Sequence, residues 1–215
     1  MERFGFVGLP NAGKSPLFNA LAGGGALAAP YAFATTDPNV GVVKVPDHRL
    51  DALAEMSKSK KVVNSTTEFV DIGGLVEGAS QGEGLGNKFL AGIREVDALV
   101  LVLRTFSDAD VPGPTDPLEH LRVVEIELTL ADLETVESRI DRRQKALRAD
   151  PRDPGLVAEV DALEAALESL SDGTPLYRAA LSKDRQLALR EHFLLTNKPV
   201  MAVLNIGEDQ LFYCA

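Results

Sequence analysis

The chain has 215 residues, 45% hydrophobic and 25% charged, the balance expected of a soluble globular protein with room for one large domain or a domain plus an appendage. Its single cysteine, Cys214, excludes an intrachain disulfide framework and a cysteine-held zinc or iron–sulfur centre, no apolar run approaches a membrane span, and the amino terminus lacks a signal-peptide layout, so a reducing, cytoplasmic setting is expected. With 22 basic against 32 acidic residues the net charge is -10, so any nucleic-acid contact must come from a local basic patch working against the global field.

Phe4–Val7 reads as a short buried strand. Directly after it, Gly8-Leu9-Pro10-Asn11-Ala12-Gly13-Lys14-Ser15 satisfies G-x-x-x-x-G-K-S/T, and Leu17–Leu21 continues as a helix. Each fixed position has a physical task. The glycines allow a backbone path that turns successive N–H groups, including those of Asn11, Ala12 and Gly13, toward a phosphate; Lys14 reaches the outer phosphates, and the Ser15 hydroxyl is a ligand for Mg²⁺. The dipole of the following helix favours the same anion. Thr35, just ahead of a second strand at Val40–Val45, offers a hydroxyl for Mg²⁺ and the γ-phosphate. Lys58-Ser59-Lys60-Lys61 reads as a solvated loop. A third strand, Thr66–Val70, ends in Asp71-Ile72-Gly73-Gly74, a D-x-x-G whose carboxylate serves the metal and whose Gly74 N–H serves the γ-phosphate. A fourth strand, Ala98–Leu103, completes the first half. Continuous apolar runs of this kind suit strands covered on both faces, in a parallel α/β sheet.

From Pro117 the period changes. Ile126, Leu133, Ile140 and Leu147 recur every seven residues with Val123 and Leu130 between them, and Leu156, Val160, Leu163, Leu167 and Leu170 step by four and three. The breaker Asp150–Gly155 between these helices predicts an antiparallel hairpin. Because a fifth strand, Val200–Leu204, follows, the hairpin is predicted to be inserted into the α/β unit, with 117–196 as the insertion and 1–116 plus 197–215 as the nucleotide domain. Arg139, Arg142, Arg143, Lys145 and Arg148 gather toward the hairpin's tip and read as a local patch on a solvated helix face. His48, His120 and His192 have no ligand spacing and read as surface or internally satisfied residues.

The segments Gly8–Ser15, Asp71–Asn87 and Leu130–Glu137 together resemble the YchF (Obg-like ATPase) family over nearly the whole chain. The resemblance implies a Ras-like P-loop NTPase, an α/β fold with a mostly parallel sheet and an inserted antiparallel α-helical coiled-coil hairpin. It further implies slow ATP hydrolysis, nucleotide-switched action and association with the ribosome or ribosomal RNA. Guanine-specific relatives read the base with N-K-x-D, whereas Asn205-Ile206-Gly207-Glu208 here follows the family's N-x-x-E. Displacing the carboxylate that pairs with guanine relaxes guanine selectivity, so ATP is implied over GTP, with Asn205, Ile206 and Glu208 at the base. Leu75 stands where Ras-like enzymes keep a water-orienting glutamine, so hydrolysis is expected to be slow. The resemblance of Asn11 to the P-loop asparagine of potassium-dependent relatives adds K⁺ as a second cation; loop capping is the other reading of that residue.

The chain also departs from the family. Pro16 replaces the usual threonine and removes a backbone N–H expected at the α-phosphate, and it biases Ser15 away from helical angles. The loop Ser107–Pro114 lacks the histidine often found there. The chain ends seven residues after Glu208, short of a further strand and helix and of the family's TGS domain, which is the expectation for a fragment or early termination. Lys14, Thr35 and Gly74 are thus the expected catalytic groups, Ser15, Thr35 and Asp71 the metal set. A GTPase, or a hydrolysis-deficient binding module acting through its hairpin, are the alternatives.

Overall fold

The computed structural model describes residues 1–23, 40–72, 85–108 and 110–213. Among these residues five strands form one sheet: β1 (Arg3–Val7), β2 (Val40–Lys44), β3 (Thr66–Asp71), β4 (Ala98–Arg104) and β5 (Val200–Asn205). Their spatial order is β2-β3-β1-β4-β5. The β1–β3, β1–β4 and β4–β5 pairings are parallel, and only β2 runs antiparallel, against β3. Every strand expected from the apolar runs is present, displaced by no more than one residue at either end.

Helices α1 (Lys14–Gly23), α2 (His48–Ser57) and α3 (Leu85–Arg94) connect the early strands. Helix α2 begins where the Asp47 side chain accepts from Arg49 N. The period of two in β4 divides the interior into two cores. Leu99, Leu101 and Leu103 face one core with Val7, Phe89, Leu90 and Ile93, whereas Val100 and Val102 face the other with Phe6, Ala12, Phe18 and Ala22. At about 25 cal/mol per Å² of apolar area removed from water, these two layers are the main driving force for the sheet.

Between β4 and β5 lie α4 (Pro117–Ala149) and α5 (Pro154–Ser171), followed by the short α6 (Lys183–Ala188). Asp116 and Asp153 cap α4 and α5, each followed by a proline in the first turn. The seven-residue repeat does not identify the seam of α4. Ile126 is 50% and Leu130 38% exposed, while Val124, Leu128, Ala131, Val136 and Ile140 are buried. The reason is that α4 serves two cores in succession. Val124, Leu128 and Ala131 join the sheet's core, and Val136 and Ile140 pack with Leu163, Ala166 and Leu170 of α5. A single repeat cannot describe both faces.

Polar side chains complete the join. Asp132 is fully buried on α4 and accepts from Leu195 N, Thr196 N and Thr196 Oγ1, so the hairpin helix is tied to the segment that re-enters the sheet as β5. Burial pushes its carboxyl up, against the pull of those donors. Lys198 Nζ donates to Arg94 O at 3.1 Å and to Val96 O, closing the C-terminal end of α3, where a cation is favoured by the helix dipole.

Candidate nucleotide site

The P-loop leaves β1 at Val7 and enters α1 at Lys14. Gly8 is required by packing: a Cβ there would lie 2.5 Å from Val102 O of the neighbouring strand. Gly13 is required by conformation, with φ +97, and a Cβ would collide with the Asn205 amide nitrogen. Asn11 also sits in the left-handed region, at φ 62. Ser15 and Pro16 both lie inside the first turn of α1, so the expectation that the proline would displace Ser15 from helical angles is not met. Proline's fixed φ suits a first turn, and that preference outweighs its effect on the preceding residue.

Lys14, Ser15 and Asp71 come together. Lys14 is buried, and its Nζ donates to Gly8 O at 3.0 Å and Leu9 O at 2.8 Å. Burial lowers its pKa, opposed by the charge of Asp71. The Ser15 hydroxyl donates to Asp71 Oδ2 at 2.6 Å. The other oxygen, Asp71 Oδ1, is buried and has no hydrogen-bond partner among the described residues. A half-buried carboxylate with one oxygen on a hydroxyl, near an ammonium, fits a hard divalent cation with oxygen ligands, so the residues present suit Mg²⁺. Thr35 and Gly74 lie outside the described residues.

The segment expected to read the base is joined to the P-loop. Asn205 Nδ2 donates to Ala12 O at 3.0 Å, so the side chain braces the loop from the end of β5. Ile206 is half-buried and Glu208 is exposed at the start of a 3-10 turn, Glu208–Tyr213. Two residues not singled out in the sequence hold this segment. Thr105 Oγ1 and Thr105 N donate to Asn205 O, and Gln210 accepts from Gly207 N at 2.8 Å while its Nε2 donates to Thr105 O. Nothing in their local pattern distinguishes them, because the contact joins positions 105 residues apart in sequence.

Arg104 was also missed. It closes an apolar strand, is 1% exposed, and donates to three carbonyls of the following loop. The available signal was a cation ending a continuous apolar run. That same loop meets the P-loop, where Asn11 Nδ2 donates to Pro112 O at 3.2 Å.

The basic group on α4 is less free than its composition suggests. Arg139 Nη1 donates to His192 Nδ1 at 2.9 Å, Arg143 Nε lies 2.8 Å from Glu159 Oε1, and His192 Nε2 lies 2.9 Å from the same oxygen. Arg142, Lys145 and Arg148 remain exposed. His120 is buried with Nε2 2.7 Å from Pro114 O, so that nitrogen carries the hydrogen. Both buried histidines thus have internal partners. Among the described residues no helix is long and apolar enough to cross a membrane.

The family described as "50S ribosome-binding GTPase" matches residues 3–140. "Ribosome-binding ATPase YchF" of Bacillus subtilis is 46% identical over 96% of this chain, and its namesake from Haemophilus influenzae 48% identical over 95%. In each case the chain spans 57% of the relative. The solved "Schizosaccharomyces pombe YchF GTPase" superposes with a TM-score of 0.79 at 34% identity, covering 99% of this chain and 58% of that one. The chain belongs to the 50S ribosome-binding GTPase family of P-loop proteins, on its YchF branch.

Proposed function

We propose that this chain forms the nucleotide-binding part of a cytoplasmic, ribosome-directed ATPase that hydrolyses ATP slowly and uses nucleotide state as a switch. The observation that carries the reading is the convergence of Lys14, Ser15 and Asp71, with Asp71 Oδ1 buried and without a partner among the described residues. In this reading Mg²⁺ supplies charge neutralisation at the terminal phosphates. Ser15 and Asp71 would hold the cation in place of their mutual hydrogen bond, and Lys14, now on the Gly8 and Leu9 carbonyls, would serve the γ-phosphate oxygens. Thr35 and Gly74 are assigned the switch contacts. Water attacks the γ-phosphorus in line and ADP leaves, with the developing charge held by Lys14. Any K⁺ at Asn11 would use its Oδ1, since its Nδ2 is committed to Pro112.

ATP is favoured over GTP by Glu208 and by the ATPase names of the bacterial relatives. The GTPase name of the fission-yeast protein keeps GTP as the second reading. Ribosome contact is proposed from the relatives' names, with the hairpin of 117–196 as an inserted unit presenting Arg142, Lys145 and Arg148. Competition of ATP and GTP for one fluorescent nucleotide decides the base. Phosphate release compared with a Lys14→Ala control decides hydrolysis: identical traces would favour a hydrolysis-deficient binding module.

A further inference from the structure

Parallel β1, β4 and β5 all begin at the edge of the sheet opposite the P-loop, and at that edge a groove of about 1150 Å³ opens. It lies between Arg94–Asp97 at the end of α3, Pro199 ahead of β5, and the segment 183–194. Its charge runs against that of the chain, which has 22 basic and 32 acidic residues. Arg94, Arg139, Lys183, Arg190 and Lys198 line it, and among the described residues none has a carboxylate within 4.0 Å. Three of them are held by neutral groups: Arg94 donates to Thr135 Oγ1, Arg139 to His192 Nδ1, and Lys198 to Arg94 O and Val96 O. Lys183 and Arg190 are exposed. The two carboxylates of the groove turn to Arg3 instead, Asp97 Oδ2 accepting from Arg3 N at 2.8 Å and Glu95 Oε2 lying 3.9 Å from Arg3 Nη1. Like charges gathered in one concave surface repel each other, and the field they focus favours a polyanion.

Phe193 stands at the same groove. It ends the 3-10 turn Arg190–His192 in the left-handed region, at φ 53 and ψ 39, with its N–H on Arg190 O at 3.2 Å. Glycine or asparagine would take that angle at lower cost, and the ring is 60% exposed, so folding gains little from an aromatic here. A bulky residue kept in such a conformation points to a use outside the fold. Phe193 stands out of the surface beside Arg190, and an aromatic face next to cations is the arrangement on which an unstacked base rests. An acidic protein segment would instead need a closed pocket for an apolar anchor.

Resting on the ribosome-directed reading above for the choice of nucleic acid, we propose that this groove binds single-stranded RNA, with phosphates on Lys183, Arg190 and the half-buried Arg94, Arg139 and Lys198, and one base stacked on Phe193. It is a different surface from the exposed tip cations Arg142, Lys145 and Arg148, and it lies at the opposite edge of the sheet from the nucleotide site.

The test titrates the whole chain against a fluorescent oligouridylate of about 12 nucleotides, by anisotropy over a range of salt, alongside thermal melting. Phe193→Gly removes the platform and the backbone strain together, so affinity falls roughly five- to a hundredfold while the melting temperature holds or rises. Phe193→Trp keeps the affinity, whereas Phe193→Leu, apolar but without a π-face, loses it as glycine does. Lys183→Gln with Arg190→Gln flattens the plot of log affinity against log salt by about 1.4, since each phosphate contributes about 0.7. Arg148→Gln at the tip changes neither quantity. Wild-type chain that does not bind, Phe193→Leu as tight as wild type, or an unchanged salt slope overturns the proposal. Polyglutamate that competes as well as unlabelled oligouridylate also overturns it, by making the occupant an acidic protein segment. Pelleting with ribosomes separates the two readings. Wild-type chain that pellets but does not bind the oligonucleotide keeps the ribosome-directed function and removes the groove; oligonucleotide binding lost in the groove variants, by a chain that does not pellet, does the reverse.

Discussion

Replacing Pro16 tests how the P-loop holds phosphate. Helix α1 begins at Lys14, and its first closed bond in this turn runs from Leu17 N to Gly13 O at 3.1 Å. By helix geometry the amides of residues 14, 15 and 16 are the donors left open to an anion, and proline deletes the third. Restoring it adds one hydrogen bond to a charged acceptor, about 1.5–3 kcal/mol, which is on the order of tenfold to more than a hundredfold in affinity. The opposing effect, loss of proline's restriction of the unfolded chain, is about 0.4–1 kcal/mol and acts on stability instead of binding. Pro16→Thr and Pro16→Ala should therefore both tighten ATP in a fluorescence titration, the alanine variant because the gain comes from the amide. Equal dissociation constants for wild type and both variants would refute the reasoning. A gain confined to threonine would assign the effect to the hydroxyl.

Asp132→Ala leaves Leu195 N, Thr196 N and Thr196 Oγ1 buried without their acceptor and should cost about 3 kcal/mol in urea unfolding; a loss below about 1 kcal/mol would show that water or a rearranged loop replaces the carboxylate. His192 gives a pH signature: burial lowers its pKa from 6.5, Glu159 pulls the other way, and Arg139 and Arg143 add to the lowering, with Arg142 and Glu191 also lining the groove beside it. The unfolded chain then takes the proton first, so stability holds above 6.5 and declines as pH falls below it toward the lowered folded value. The decline between about pH 7 and pH 5 should be smaller in His192→Gln, and an unchanged slope would remove His192 as its source. Leu163→Ala, at a fully buried position in the hairpin core, should destabilise by about 2–5 kcal/mol with ATP affinity of the folded protein unchanged. Reduced affinity in that variant would show that hairpin packing reaches the nucleotide site.

The strands, the P-loop and the break between α4 and α5 were legible because each rests on short-range chemistry: continuous apolar runs, glycines at forced backbone angles, a cluster of aspartate, proline and glycine. The Lys14, Ser15 and Asp71 set was legible as a list of residues whose roles are carried by type and order. The seam of α4 was not, because the helix changes the surface it packs on partway along, and exposed Ile126 and Leu130 mimic a repeat that the buried His120, Thr129 and Asp132 interrupt. The roles of Arg104, Thr105 and Gln210 were likewise beyond reach, since each depends on which backbone carbonyls another segment presents. Sequence by itself determined which residues form the candidate phosphate loop of this protein, because Gly8–Ser15 are consecutive. Only the tertiary structure decided that the loop after β4 is fastened to Asn11, and that two of the five clustered hairpin cations, Arg139 and Arg143, are already engaged with His192 and Glu159, because hydrogen bonds across the fold join groups that no local pattern relates.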